Sequence, residues 1–394
     1  MIDTPTVSVQ PKNFRPTLGD AAGAVADLGV LVPLAAALIL VNGLDAGAVF
    51  VCAGLLALAA GAVFRVPFPV QPLKALTTVA VARELSPDVI HAAGLELAAF
   101  LLLLSFGHVA DAVARLFVKP VVRALQLGVG TLLVLTAARL VVDPPEVFAG
   151  TPRSPWPVIL AAAAFAGVAL AAQRRRYWAA LALFGVGILA TVAATRPELA
   201  PPDFALPDLH LPPVAAFGSA FFLLVIPQLP LTFGNAVVAV NYLAHEYFGA
   251  AARRVTPSRV CLSAGVGNAV SAALGGMPMC HGAGGLTAHV RLGARTAGMN
   301  VLLGGAFLAL GLFFAGQIPV ILGLLPVWVL AAFLAYAGLR HAWLVADLRG
   351  ASLAIAVGTG LLGAWLGNLA VTAGLALVLE HGRRRMRERV HEPS

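Results

Sequence analysis

Charge is scarce in this chain. Of its 394 residues only 11% are Asp, Glu, Lys or Arg, where soluble domains carry roughly a quarter. Cysteine is scarcer still. Cys52, Cys261 and Cys280 stand far apart in apolar surroundings, without the spacing of a disulfide framework or a zinc site, so no metal is expected. No HExxH, GxSxG or paired-ligand spacing occurs, which argues against an enzyme and gives no reason to expect a cofactor. Residues 1–16 are polar, with Lys12 and Arg15 ahead of the first apolar run. A cleavable signal is therefore not expected, and the first span serves as its own insertion signal.

What is plentiful is apolar sequence: hydrophobic residues make up 60% of the chain and mean hydropathy is +0.90. That composition predicts an all-α polytopic membrane protein. Apolar runs predict full spans near 18–42, 45–64, 88–107, 119–141, 156–172 and 177–195. They continue near 213–245, 258–275, 296–315, 318–339, 350–366 and 367–380. Half-helices after Pro72 and after Cys280 bring the set to fourteen transmembrane elements, seven on each side of about residue 200. The expected units are 1–200, 201–382 and a basic tail, 383–394.

The distribution of charge tests this map independently. With the N-terminus in the cytoplasm, the connections on that side hold Lys12, Arg15, Arg65, Arg115, Lys119, Arg123, Arg174, Arg175, Arg176, Arg253, Arg254, Arg259, Arg291, Arg295, Arg340, Arg349 and five arginines from Arg383 to Arg389. These are 21 of the 26 Lys and Arg. The long outer loop near 196–212 is acidic instead, with Glu198, Asp203 and Asp208. A multi-pass protein of the cell membrane with both termini cytoplasmic is expected. The net charge of +8 is topogenic and spread over many loops, so nucleic acid is excluded as a partner.

Two segments interrupt the apolar pattern: PFPVQPLKA from Pro67 and GMPMCHGAGGLTA from Gly276. Prolines 67, 69 and 72 remove donors and fix φ, so a helix can begin there but cannot run through. Gly282, Gly284 and Gly285 free the backbone of the second break. Irregular backbone at membrane depth survives only where protein buries it or where it lines a cavity. Later spans open with proline at Pro120 and Pro326, 53 and 48 residues after Pro67 and Pro278. Four landmarks in register suggest duplication, and with seven elements per half the second half must be inverted. That is the seven-plus-seven inverted repeat, with two half-helices meeting at the midplane, of an alternating-access carrier.

Half-helices that start near the midplane present unpaired N–H groups and the positive ends of their dipoles, which together suit an anion. Lys74 adds a positive charge, unless it snorkels to the rim. Gln71 either donates to the same anion or caps its own helix. His281 stands at the matching start of the second half-helix, either lining the cavity or packing, and is followed by Gly282, Ala283, Gly284 and Gly285 with unobstructed amides. Asp27 in the first span is open to three roles: balancing Lys74, carrying a coupled proton, or ordering the half-helix amides. Gln228, Thr232 and Asn235 in the eighth element are expected to line the site, and Asn268, Asn300 and Asn368 read equally well as interhelical hydrogen-bond partners.

These residues carry a family resemblance. GAVADLGVLVP from Gly23, PFPVQPLKA, PQLPLTFGNAVVA from Pro227 and MPMCHGAGGLTAHVRLGAR from Met277 resemble motifs of the bacterial and plant molybdate transporters, a STAS-less branch of the sulfate permease superfamily. The likeness spans about residues 18–340; Ala26, Phe68 and Leu73 depart mildly from it. It implies a core domain carrying the site beside a gate domain, and uptake of molybdate with sulfate as the nearest competitor. It also implies no cytoplasmic STAS domain. Such transporters are often dimeric, which the sequence leaves open, as it does the coupling proton or cation. The other readings are a sulfate transporter or anion channel on the same fold, or a proton-coupled nucleobase carrier. The last would display carboxylates where Gln228, Asn235 and His281 stand.

Overall fold

The computed structural model describes residues 14–26, 28–145, 148 and 156–391; Asp27 lies outside them. The first span is built from α1 (Leu18–Ala26) and α2 (Leu28–Leu40). Next comes α3 (Ala46–Phe64), opened by Asp45, whose carboxylate accepts from the Ala48 amide at 2.6 Å. The first half-helix is α4 (Lys74–Ala82), and α5 (Pro87–Ser105) passes a kink at Gly107 into α6 (Val109–Ala114). Three helices complete this half: α7 (Lys119–Val142), α8 (Trp156–Gln173) and α9 (Trp178–Thr195). The last two expose Trp156, Ile159, Trp178 and Leu189, the apolar outer surface of lipid-facing helices.

The second half opens with one long element made of α10 (Val214–Ala220), α11 (Ile226–Leu231) and α12 (Val240–Phe248). Wide π-helical turns at Phe221–Val225 and Thr232–Ala239 join them. Pro227 and Pro230 lie between these turns, and the N–H groups they lack are why the regular ladder is interrupted here. Then follow α13 (Pro257–Ala273), the second half-helix α14 (Ala283–Arg291), α15 (Gly298–Phe313), α16 (Ile318–Gly323), α17 (Val327–Ala342), α18 (Gly350–Trp365) and α19 (Leu369–His391). Among the described residues seven helices are long and apolar enough to cross a membrane, or nine if each bent pair counts as one span.

One expected span is corrected. Residues 318–339 are not a single helix: the segment Ala315–Gly323 turns 96° away from α15, and a new helix starts after Pro326. The apolar run hides this break, because hydropathy does not register a proline's missing donor. The last two spans are separate, divided by Gly367 at φ 65° and by Asn368, whose side chain accepts from the Ala370 amide. The basic tail begins as a continuation of α19, with Arg383 and Arg384 folded back onto the buried Glu380.

Packing pairs recur under exchange of the halves. α3 packs on α15 and α13 on α5; α18 packs on α7 and α17 on α8. Besides α3 on α13, two contacts fall where such an exchange maps an element pair onto itself. In one, the two-residue strands β1 (Gln71–Pro72) and β2 (Met279–Cys280) pair antiparallel, Gln71 opposite Cys280 and Pro72 opposite Met279. In the other, α7 and α17 cross at Gly130 and Gly338, each the twelfth residue of its helix. A Cβ on Gly130 would lie 2.6 Å from the Gly338 carbonyl oxygen, and one on Gly338 would lie 2.8 Å from that of Gly130.

The loops sort onto two faces. On one, Asp20 accepts from the Arg295 and Thr296 amides, Arg295 donates to the Tyr177 hydroxyl, Arg254 to the Val63 carbonyl, and Lys119 pairs with Asp347. On the other, Asn42 donates to the Leu85 carbonyl, His210 meets Asp88 at 2.7 Å, and the Asp203 and Ala205 amides reach the end of α15.

Candidate functional site

The two breaks are held as one unit. Asn300 of α15 clamps the first: its Oδ1 accepts from the Phe68 amide at 2.9 Å and its Nδ2 donates to the Phe68 carbonyl at 2.7 Å. Asn268 of α13 clamps the second in the same way, through the Met279 amide and carbonyl, both at 2.8 Å. Between them run the β1–β2 pairing and the Leu73 amide, which donates to the Pro278 carbonyl. A side-chain amide supplies one donor and one acceptor in a fixed plane, as an extended residue without a strand neighbour requires.

His281 belongs to this clamp. It is fully buried, with Nδ1 at 2.8 Å from the Pro69 carbonyl and Nε2 at 3.0 Å from the Ser263 hydroxyl. The Phe64 and Phe68 rings flank it. Both nitrogens are engaged by protein, so the imidazole ties the second break to the first and to α13 rather than facing a ligand.

Gln71, Lys74 and Gly282 come together where the half-helices begin. Lys74 Nζ donates to Gln71 Oε1 at 3.0 Å, and the Gly282 backbone lies against both. A Cβ there would be 2.1 Å from Gln71 Oε1 and 3.7 Å from Lys74 Nζ, so any side chain at this position would displace the Gln71 amide. Gln71 is fully buried and Lys74 partly so. The lysine ammonium is held close to both helix starts instead of extended to a rim.

Several expected donors are already committed. The Leu76 amide, in the first turn of α4, donates to Gln228 Oε1 at 2.9 Å, while Gln228 Nε2 donates to Thr232. Gln228 therefore caps the half-helix from the eighth element. The Gly285 and Leu286 amides point at the Gly282 carbonyl. Among the described residues, Ala283 and Gly284 keep first-turn amides that no carbonyl outside the helix engages. Gly284 does not open space toward a ligand, because its missing side chain makes room for Leu133 and Val129 of α7. Asn235 is buried in the π-helical turn, its Oδ1 without a partner among the described residues.

The residues behind α14 carry no sequence motif of their own. Tyr247, Thr287 and His341 form a buried hydrogen-bonded row joining α12, α14 and α17, with separations of 3.2 and 2.8 Å. Arg123 of α7 is likewise buried. It donates to Asp347, Gln126 and Glu246, which engages all five of its N–H groups. Single polar residues inside helices carry no local spacing signal, and only the packing of four elements brings these together.

The family described as "Molybdate transporter of MFS superfamily" matches residues 19–133 and 220–340. Molybdate transporter 2 of Arabidopsis thaliana is 30% identical over 379 residues, covering 85% of this chain and 80% of that one. Molybdate transporter 1 of Chlamydomonas reinhardtii is 29% identical over 448 residues, covering 84% and 85%. In fold, the chain is similar to the transmembrane domain of the cyanobacterium bicarbonate transporter BicA, with a TM-score of 0.58 at 16% identity, covering 91% of this chain and 96% of that one. SLC26A9 gives 0.54 at 14% identity, covering 92% and 64%.

Proposed function

From the chain's membership of the molybdate transporter family, we propose that it takes up a tetrahedral oxyanion, molybdate, by secondary active transport with alternating access. It is a membrane transporter and not an enzyme. The carrying observation is the opposed starts of α4 and α14 around Gln71, Lys74 and Gly282. In this reading the oxyanion takes up donors from the Lys74 ammonium and the Ala283 and Gly284 amides, aided by two helix dipoles. Gln71 orients the lysine, Gly282 leaves space for both, and Gly285, Gln228 and His281 hold the two starts in place. Asp27 remains a candidate for carrying a coupled proton, and Asn235 for lining the site. The arginine-rich face is cytoplasmic.

Charge decides among substrates of similar size. A fixed ammonium and two positive helix ends favour a dianion over a neutral nucleobase, which would need a carboxylate or a hydrogen-bonding edge facing it. The measurement is uptake of radiolabelled molybdate into proteoliposomes, in competition with sulfate, with and without a pH gradient. Saturable uptake that molybdate inhibits more strongly than sulfate is expected, and large unitary currents without saturation would establish a channel instead.

A further inference from the structure

The arginine-rich face holds a second cluster, at the far end of α14. A narrow cavity there is lined by Arg123, Glu246, Arg291, Arg340, Trp343, Leu344 and Asp347. Three guanidinium groups thus face two carboxylates, and the pairing is unequal. Arg123 takes both carboxylates through Glu246 at 3.0 Å and Asp347 at 2.6 Å. Arg291 and Arg340 make no hydrogen bond or ion pair among the described residues, and the Nε of each is buried without a partner. They are near enough to repel one another. Arg291 stacks on the Tyr247 ring at 5.8 Å, which holds its planar face but leaves its donor edge unused.

Topogenic arginines explain why positive charge lies on this face. They do not explain two guanidinium groups lining one cavity with each Nε buried and unpartnered, while Arg123 takes both carboxylates there. An anion between the forks would satisfy those donors, and guanidinium geometry matches two oxygens of a tetrahedral oxyanion. Arg291 ends the nine-residue half-helix whose start forms the candidate site, and Arg340 lies in the last turn of α17 opposite it. At about 1.5 Å rise per residue the two ends of α14 are about 12 Å apart. The cavity, about 30 Å³, has room for water only, so an anion enters when α14 and α17 part.

We propose that Arg291 and Arg340 form a second, weaker oxyanion site on the cytoplasmic face, taking the anion between the central site and solvent. This rests on the oxyanion reading above. The chemistry is shared by free molybdate and by the phosphate of an anionic lipid headgroup. The position between α14 and α17, rather than on the lipid-facing helices, favours the free anion.

The test is equilibrium dialysis of radiolabelled molybdate against the full chain in nanodiscs at low salt. Two classes of site are expected in the unmodified protein. Arg291→Gln combined with Arg340→Gln loses the weaker class and keeps the tighter one, while Arg291→Lys with Arg340→Lys retains both. Two unchanged classes in the glutamine pair, or one class in the unmodified protein, overturn the second site. An unmodified protein that binds no molybdate defeats the oxyanion reading itself. Comparing phosphatidylcholine discs with discs containing phosphatidylglycerol separates the sources. Loss of the weaker class in the anionic discs assigns the site to lipid phosphate, and its persistence assigns it to the free anion.

Discussion

The Nδ1 of His281 lies 2.8 Å from the carbonyl oxygen of Pro69, 212 positions earlier in the chain. One break in the helical pattern therefore completes the hydrogen bonding of the other. Truncation at His281 leaves the Pro69 carbonyl and the Ser263 hydroxyl without their partner, at about 1–3 kcal/mol for a buried group. His281→Ala is expected to melt several degrees lower in detergent while its folded fraction still binds molybdate. Normal melting with lost binding would make His281 a ligand.

Gly282→Ala should do the opposite. Its methyl group would overlap the Gln71 carbonyl oxygen, and that flexible end swings away, so folding survives. Lys74 then loses the partner that aims it. Molybdate affinity measured by calorimetry is expected to fall at least about tenfold, the loss of one charge-assisted hydrogen bond, with melting close to the unmodified protein.

Lys74→Ala removes the fixed charge. Dianion binding should weaken by about 2–4 kcal/mol, the range for truncating one member of a buried charged pair. Competition by sulfate should weaken in parallel, because a point charge does not distinguish the two oxyanions. Unchanged molybdate affinity in folded protein would take Lys74 out of the site.

At position 284 the expected loss has a different cause. Gly284→Val abolishes uptake by pushing on Leu133 and Val129 of α7, not by filling the anion's volume. Adding Leu133→Ala should therefore restore part of the uptake. Failure of the second substitution to restore any transport would return the defect to the anion volume.

Arg123 is buried with every donor engaged. Arg123→Ala strips Glu246 of its guanidinium partner and leaves Asp347 with Lys119 alone, and about 3–5 kcal/mol of stability should be lost. A large fall in melting temperature is the expected result, partly recovered by Glu246→Gln in the same chain.

The broken segments were legible because proline and glycine act locally and leave their mark at fixed positions. Pro67, Pro72, Gly282 and the opening at Lys119 all fall at real boundaries. The span over 318–339 was misread because Pro326 sits in an apolar run long enough to cross on its own. Gln228 was legible as a residue near the site but not as a cap, since its partner at Leu76 is 152 positions away. His281 reads equally as cavity lining or packing for the same reason: a polar group in an apolar run shows that it needs a partner, not which one. Arg123 read only as a topological charge, because Glu246 and Asp347 reach it through folding alone.

The crossing of α7 and α17 at Gly130 and Gly338 has a mechanical result. Backbones this close cannot slide past one another by a turn without forcing side chains through each other. In the alternating-access reading proposed above, the two helices therefore act as a single stiff piece against which the half-helix unit shifts. The sliding surface in that reading is the face where Leu133 meets Gly284, and a larger residue at either glycine of the crossing would loosen both helices rather than one.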